Sequence, residues 1–352
     1  MVRNAHDAAV ASRPAYLFLA LVVGLHFTVG SVLQVANPAF GIAFGELFFF
    51  VGLTWLFTRA QNFRAIDFLA LRPPPARTVG AAALAAIAGF FFAGGMNALN
   101  RWIVGPEVAD RYDVTHLFDF RSPLEGAVLV FGVSVLAPLG EELVFRGYLQ
   151  RVLGARHGAL RAALIGGALF ALIHLNPASI LALFSLGVLF GLMRVWTGSI
   201  WPAVLAHAVQ NGTSSALVLS GAAENAPDEL GLGPALLLIA FTGPVLWLAL
   251  HHLRRMPAAA PDAAVAVDPA CTHELSLRSA AKPAAVLLGA ALASLAIFAA
   301  VDGASARARL QRLRGRLPKP PAEVETPALD EQALPHRERR QAPGGRSLRA
   351  RS

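Results

Sequence analysis

The sequence predicts an all-α fold, a polytopic membrane bundle of about eight transmembrane helices with a ninth candidate near the C-terminus. Three observations carry that expectation. Of the 352 residues 55% are hydrophobic and only 15% charged, where an ordinary soluble domain is roughly a quarter charged. The apolar residues gather in blocks long enough to cross about 30 Å of hydrocarbon. The two-residue alternation that a membrane β-barrel needs is missing, so backbone groups in lipid must bond within helices.

Taken in order, the runs at residues 16–35, 40–57, 79–99, 200–219 and 232–250 have full spanning length. Three more, 124–139, 162–175 and 180–195, are shorter. The first of these runs on past Glu141 toward Leu153, and the other two read as a hairpin turning at Asn176-Pro177. A ninth run, 284–301, follows a Pro- and Ala-rich linker and stands apart, either spanning or lying in the interface. The first run is too long for the apolar part of a cleaved signal and is expected to remain as a helix. The organisation expected is N-terminal helices and loops over 1–123, a core over 124–221, an eighth helix with its preceding loop over 222–256, a linker and the ninth run over 257–301, and a basic, disordered tail over 302–352.

Loop charges set the orientation. Arg59, Arg64, Arg72 and Arg77 face only Asp67, and Arg146, Arg151, Arg156 and Arg161 follow the fourth run, so both groups belong on the cytoplasmic side. Arg3 and Arg13 join them. Glu107, Asp110, Asp113 and Asp119 outnumber Arg101, Arg111 and Arg121 between the third and fourth runs, and the loop at 222–231 has Glu224, Asp228 and Glu229 without a base. These loops fit the outer side. If the ninth run crosses, the Arg-rich stretch after it lands outside, against the rule. The net charge of +8 is concentrated in the tail: residues 302–352 hold 12 of 30 basic and 6 of 22 acidic side chains. Beside a membrane segment, such a tail suits anionic lipid, and no nucleic-acid partner is expected. The single cysteine, Cys271, excludes an intrachain disulfide and a thiolate zinc cluster.

Polar residues at membrane depth ask for a partner or a task. In Gly140-Glu141-Glu142-Leu143-Val144-Phe145-Arg146, Glu142 and Arg146 stand four apart with the acid first, the favoured order for a helical ion pair. Glu141 points about 100° away from Glu142 and is the carboxylate left to hold a water. The cluster also fits a structural ion pair at a helix end. His174 ends the fifth run, and His207 and Asn211 share one face of another helix four apart. Such a pair can stabilise an oxyanion or bond helices together. Counted from the cytoplasmic turns, Glu141, His174 and His207 fall roughly 14–20 Å in, close to one level. Gly187 and Gly191 have the small-xxx-small spacing of close helix approach. No His-Glu-x-x-His, Gly-x-Ser-Gly within a run, Gly-x-Gly-Asp or P-loop occurs, which sets aside zincin, rhomboid-like, aspartyl and ATP-driven readings. Zinc held by Glu141, His174 and His207 remains an alternative.

At these residues the chain resembles the CPBP family, the CAAX-protease and bacteriocin-processing group of intramembrane endopeptidases. Glu141-Glu142-x-x-x-Arg146 is similar to the first family motif, Phe170-x-x-x-His174 to the second, and His207-x-x-x-Asn211 to the last. Gly187, Gly191 and the turn Gly198-Ser199-Ile200 resemble it as well, so the likeness covers 124–219. The resemblance implies peptide-bond hydrolysis within the membrane. Glu141 with His174 would activate water, His207 with Asn211 would stabilise the oxyanion, and Glu142, Arg146 and Phe170 would support them. A glutamate mechanism without cofactor is preferred over metal, because the closely spaced helical ligands of a zincin are lacking.

Two other classes stand beside this. A membrane immunity or binding protein would keep the fold without chemistry. A transporter would use Glu46 and His26, acid and imidazole within the apolar runs, although no inverted repeat supports it. The Ala- and Arg-rich usage suggests a multi-pass protein of a bacterial cytoplasmic membrane, acting on a membrane-anchored protein or peptide.

Overall fold

The computed structural model describes residues 5–61, 63–222, 231–259 and 277–316. The chain divides into a compact unit, Met1–Leu310, and a short one, Gln311–Ser352. Only the helical backbone to Arg316 is described in the second. Residues 317–352 of the basic tail, the centre of the linker and the acidic loop at 223–230 lie outside the described residues; residues 302–316, expected to be disordered, continue the last helix instead. Among the described residues every regular element is helical and no strand occurs.

The main helices are α1 Pro14–Ala36, α2 Pro38–Ala60, α3 Ala76–Val104, α4 Pro123–His157, α5 Ala159–Ile173, α6 Ile180–Thr197, α7 Trp201–Leu219, α8 Leu232–Arg254 and α9 Ala281–Gly303. Seven of them are long and apolar enough to cross a membrane. That set differs from the sequence expectation at both ends. The ninth run qualifies. The run at 200–219 does not, because His207, Gln210, Asn211 and the hydroxyls that follow dilute α7, while α5 is too short. A multi-pass integral membrane bundle results, with Leu84, Ile87, Phe91, Leu237, Phe241 and Leu248 turned outward as an apolar surface suited to lipid.

Local chemistry explains the breaks. Asn37 caps α2 by accepting from Phe40 N at 2.9 Å, with Pro38 in the first turn, and Ser122 caps α4 by accepting from Glu125 N at 3.2 Å ahead of Pro123. Gly198 closes α6 in the left-handed region, its N–H returning to Arg194 O at 3.1 Å. In the α5–α6 hairpin, Asn176 Oδ1 accepts from Ala178 N at 3.0 Å, as the sequence led us to expect of a turn there. Leu175, just before it, holds φ +46°, an uncommon conformation for a branched side chain and one that fixes the chain direction immediately after His174.

Helices α1, α2 and α4 each contain stretches of wider, i→i+5 bonded winding, at His26–Gly30, Gly45–Gly52, Gly132–Leu136 and Leu143–Leu149. Such winding gathers at functional sites. In α4 its first stretch has a local cause, since Pro138 has no N–H and its ring crowds the carbonyl of Ser134. All four stretches lie beside the buried polar residues described below.

One core is aromatic, packing Phe18, Phe48, Phe50, Phe57, Phe145 and Tyr148 between α1, α2 and α4. A second packs small residues of α3 against α6 and α7, including Ala81, Ala85, Leu186 and Met193. Helices α5 and α6 cross at Gly167 and Gly187, where a Cβ on Gly187 would come within 2.8 Å of Gly167 Cα. Gly191 likewise faces Ala163 at 3.0 Å. The small-xxx-small spacing is therefore used in the packing. Helix α9 lies along α2: Leu287 fills the space over Gly52, and Phe298 stacks on Phe40 with centroids 4.1 Å apart. Asp302 Oδ2 accepts from Asn37 Nδ2 and Arg121 Nη2, both at 2.8 Å. Asp302 thus ties the end of α9 to the cap of α2 and to the loop before α4.

Candidate active site

Four helices supply one buried polar cluster. Glu141 and Glu142 come from the middle of α4, His174 from the residue after α5, and His207 from α7. Gly187 of α6 lends a carbonyl.

Glu142 is wholly buried, and its Oε1 accepts from Arg146 Nη1 at 2.9 Å and from His207 Nδ1 at 3.0 Å. The ion pair expected from the i, i+4 spacing is present, and it has a second function that spacing could not disclose: it orients His207. Arg146 Nη2 donates to Gly187 O at 2.8 Å, and the guanidinium lies over the Phe170 ring at 4.7 Å, so charge and face are both satisfied. One turn further, Gln150 Nε2 donates to Gly191 O at 2.9 Å. The glycines that let α6 approach thus also expose the carbonyls that anchor α4.

Glu141 faces the other way. Its Oε2 is buried and has no hydrogen-bond partner, yet two imidazoles stand near it, His207 Nε2 at 3.9 Å and His174 Nε2 at 4.0 Å. His174 is pinned at its other nitrogen, whose N–H donates to Phe170 O at 2.7 Å. A carbonyl only accepts, so the proton is on Nδ1 and the Nε2 lone pair faces Glu141. Phe170 fixes both imidazoles, with its carbonyl on His174 and its ring edge-on to His207 at 5.6 Å, while Phe190 stacks on the other face of His207 at 4.9 Å. The His174 side chain is 30% exposed and those of Glu141 and His207 are 13% and 5% exposed, so the pocket opens past His174.

Asn211, expected to act beside His207, makes a bond of its own. Its Nδ2 donates to Val133 O at 2.9 Å, in the wide turn of α4. That bond ties α7 to α4 one turn beyond His207 and leaves one amide hydrogen over. Glu46, considered above for transport, lies against this cluster: its Oε2 is 2.7 Å from where a Cβ on Gly140 would stand. A cavity of about 530 Å³ lined by Asp113, His116, Asp119, Phe120 and Leu219 opens at the far end of α7, roughly 18 Å along the helix from His207, and is not part of this cluster.

For a metal, Glu141, His174 and His207 offer the right atoms at the wrong spacing. Tetrahedral zinc with bonds near 2.0–2.1 Å holds its ligand atoms about 3.3 Å apart, closer than the 3.9 and 4.0 Å here. Among the described residues no group of three His, Cys, Asp or Glu side chains is arranged to hold a metal ion. Spacings near 4 Å between an acceptor carboxylate and an acceptor nitrogen suit a bridging water that donates to both.

Comparison with known proteins points to one group. Residues 123–213 match the family described as type II CAAX prenyl endopeptidase Rce1-like. The membrane-embedded CAAX protease MroQ of Staphylococcus aureus (strain USA300) is 32% identical over 94 residues, covering 24% of this chain and 37% of that protein. The chain thus spans well under half the length of this curated relative. No solved structure matches.

Proposed function

We propose that this chain, whose residues 123–213 are a core of the CPBP family, is an intramembrane endopeptidase that activates water with a glutamate. The observation that carries the proposal is Glu141 Oε2, a buried oxygen without a bond, set between two imidazole nitrogens at 3.9 and 4.0 Å.

In this reading a water donates to Glu141 Oε2 and to His174 Nε2. Glu141 takes its proton as the oxygen attacks the peptide carbonyl, forming the new C–O bond. The oxyanion meets His207 Nε2 and the second amide hydrogen of Asn211. To donate there, His207 must carry both ring protons; with Arg146 it then balances the two carboxylates. Collapse breaks the C–N bond, and the proton on Glu141 goes to the leaving amine. Every atom is accounted for without a metal. The substrate class is a membrane-anchored protein or peptide, reached from lipid past His174, and the membrane is a bacterial cytoplasmic one.

The test uses purified protein and a membrane-anchored peptide library. Cleavage should persist in chelator and vanish in Glu141→Gln, with α-helical content retained. Cleavage by Glu141→Gln at the rate of the parent protein would remove the base assignment, and loss in chelator restored by zinc would replace it with a metal site.

A further inference from the structure

A third carboxyl lies at this site. Glu46 sits in the wide turn Gly45–Gly52 of α2, is 5% exposed, and has an Oε2 with no hydrogen-bond partner. Its neighbour across the helix contact is the backbone immediately before Glu141. A Cβ on Gly140 would come within 2.7 Å of Glu46 Oε2 and 2.8 Å of Phe50 Cβ, both inside the distance real Cβ atoms keep. Position 140 therefore admits no side chain while Glu46 occupies its place. The Glu46 carboxyl thus lies over the residue next to Glu141.

Burying a carboxyl oxygen without a bond is unfavourable by several kcal/mol, so the unbonded Oε2 of Glu46, set against Gly140 beside Phe50, calls for a task. Glu141 Oε2 is also buried and unbonded. Two carboxyl groups in a dry interior coexist when a proton lies between them and are driven apart when both are charged. A proton on Glu46 would make it a donor toward Glu141: His174 presents a lone pair there, and the Nε2–H of His207 is the one assigned to the oxyanion.

We infer that Glu46 is a positioning residue of the hydrolytic reaction, donating a hydrogen bond through the shared water to Glu141 and so fixing the carboxylate that takes the proton. This rests on the endopeptidase reading for its consequence in rate, but not for the carboxyl pair itself. Of the titratable groups, Glu141 follows on α4 the glycine that Glu46 covers, and His26 of α1 packs edge-on to Phe50, one turn along α2. Leu287 is the contact of α9 with this part of α2.

Variants and a spectrum test it in the full chain in lipid nanodiscs. Glu46→Met keeps the length and removes the donor, where a glutamine would retain an N–H. Turnover should fall on the order of 100-fold with KM unchanged, as expected when a reacting group is misplaced by about 1 Å, and the acid limb of the kcat profile should shift. Gly140→Ala, which displaces Glu46 without altering any acid, should do the same, whereas Glu46→Asp should recover part of the rate. Infrared difference spectroscopy reads the pair without cleavage: a protonated carboxyl band should be present in the parent protein, absent in Glu46→Met, and displaced in Glu141→Gln. Parent-like turnover and pH profile in Glu46→Met would overturn the inference, as would the absence of that band. Should the parent protein cleave nothing, the endopeptidase reading falls, and the band alone decides: moved by Glu141→Gln it upholds the carboxyl pair, unmoved it ends it.

Discussion

Glu141 and Glu142 are adjacent in sequence and opposite in circumstance. Glu142 Oε1 accepts from an arginine and a histidine within 3.0 Å; Glu141 Oε2 accepts from nothing and has imidazoles near 4 Å instead. The first, although the Oε2 of Glu142 is also unbonded, is finished as an ion pair within the protein and builds rigidity. The second is finished only when something enters. One helix thus carries a structural acid and a reactive acid a single residue apart, because the 100° turn between consecutive residues sends one to Arg146 and His207 Nδ1 and the other to the space between His174 and His207 Nε2.

Breaking the reactive side should give the largest effect on rate and the smallest on folding. Glu141→Gln is expected to lower kcat by roughly 10²–10⁴-fold, the range of a lost general base, with thermal unfolding unchanged, because no bond to Oε2 is lost. Single-turnover cleavage and a melting curve on the same sample measure both. A melting point lowered as far as in the Arg146 variant described next would mean that the two acids are not different in kind.

Breaking the structural side should invert the pattern. Arg146→Met leaves Glu142 buried without its partner, frees Gly187 O, and uncovers Phe170. Removal of one member of a buried pair costs about 3–5 kcal/mol. Activity should fall as well, since His207 is held by the same carboxylate, but the loss should be partly recovered by lowering the temperature. Unfolding in mild detergent, monitored by tryptophan fluorescence, provides the measurement; a stability change below that of an exposed pair would show the pair to be dispensable.

Asn211 lies between the two cases. Its bond to Val133 O is structural, and its remaining amide hydrogen is the one assigned to the oxyanion. Asn211→Ala should lose both, with kcat lowered by about 10²–10³-fold if that hydrogen serves the transition state. A serine at this position retains a donor and should separate the roles: full stability with low turnover would place the function in the second hydrogen.

These contrasts also mark what the sequence could and could not disclose. Glu142 and Arg146 were legible because an i, i+4 pair is local to one helix turn, and the position of His174 was legible because the hairpin at Asn176 ends the helix there. The link from Glu142 to His207 joins residues 65 apart on helices whose mutual rotation is fixed by packing, and no local pattern encodes it. Glu46 was visible as an acid in an apolar run, yet its partner is the missing side chain of Gly140, which only the crossing of α2 and α4 discloses. Asn211 was read with His207 from their shared face, but the wide turn of α4 brings Val133 O within its reach first. For the fold, helix count was limited at α7 by the very residues that form the site, since polarity placed for function lowers the apolar signal used to find a span.

The smallest effect should come from a carboxylate that is finished as Glu142 is, but in water. Asp67 lies in the loop between α2 and α3 and accepts from Arg72 Nη2 at 2.7 Å, with Arg64 at 3.4 Å. The hydrogen bond from Arg72, aided by the charges of Arg72, Arg64 and Arg151, outweighs partial desolvation and holds the carboxyl below its ordinary value. A depressed folded-state value means that the pair favours the folded state above the unfolded-state value near pH 4, and that this contribution disappears as pH falls through the lower, folded-state value. Asp67→Asn should therefore leave turnover and neutral-pH stability nearly unchanged while flattening the acid slope of the melting temperature, measured in low salt and again at high salt, where screening should shrink even that difference. If Asp67→Asn instead matched the destabilisation of Arg146→Met, burial would not be what separates the two ion pairs, and the contrast between the faces of α4 would lose its physical basis.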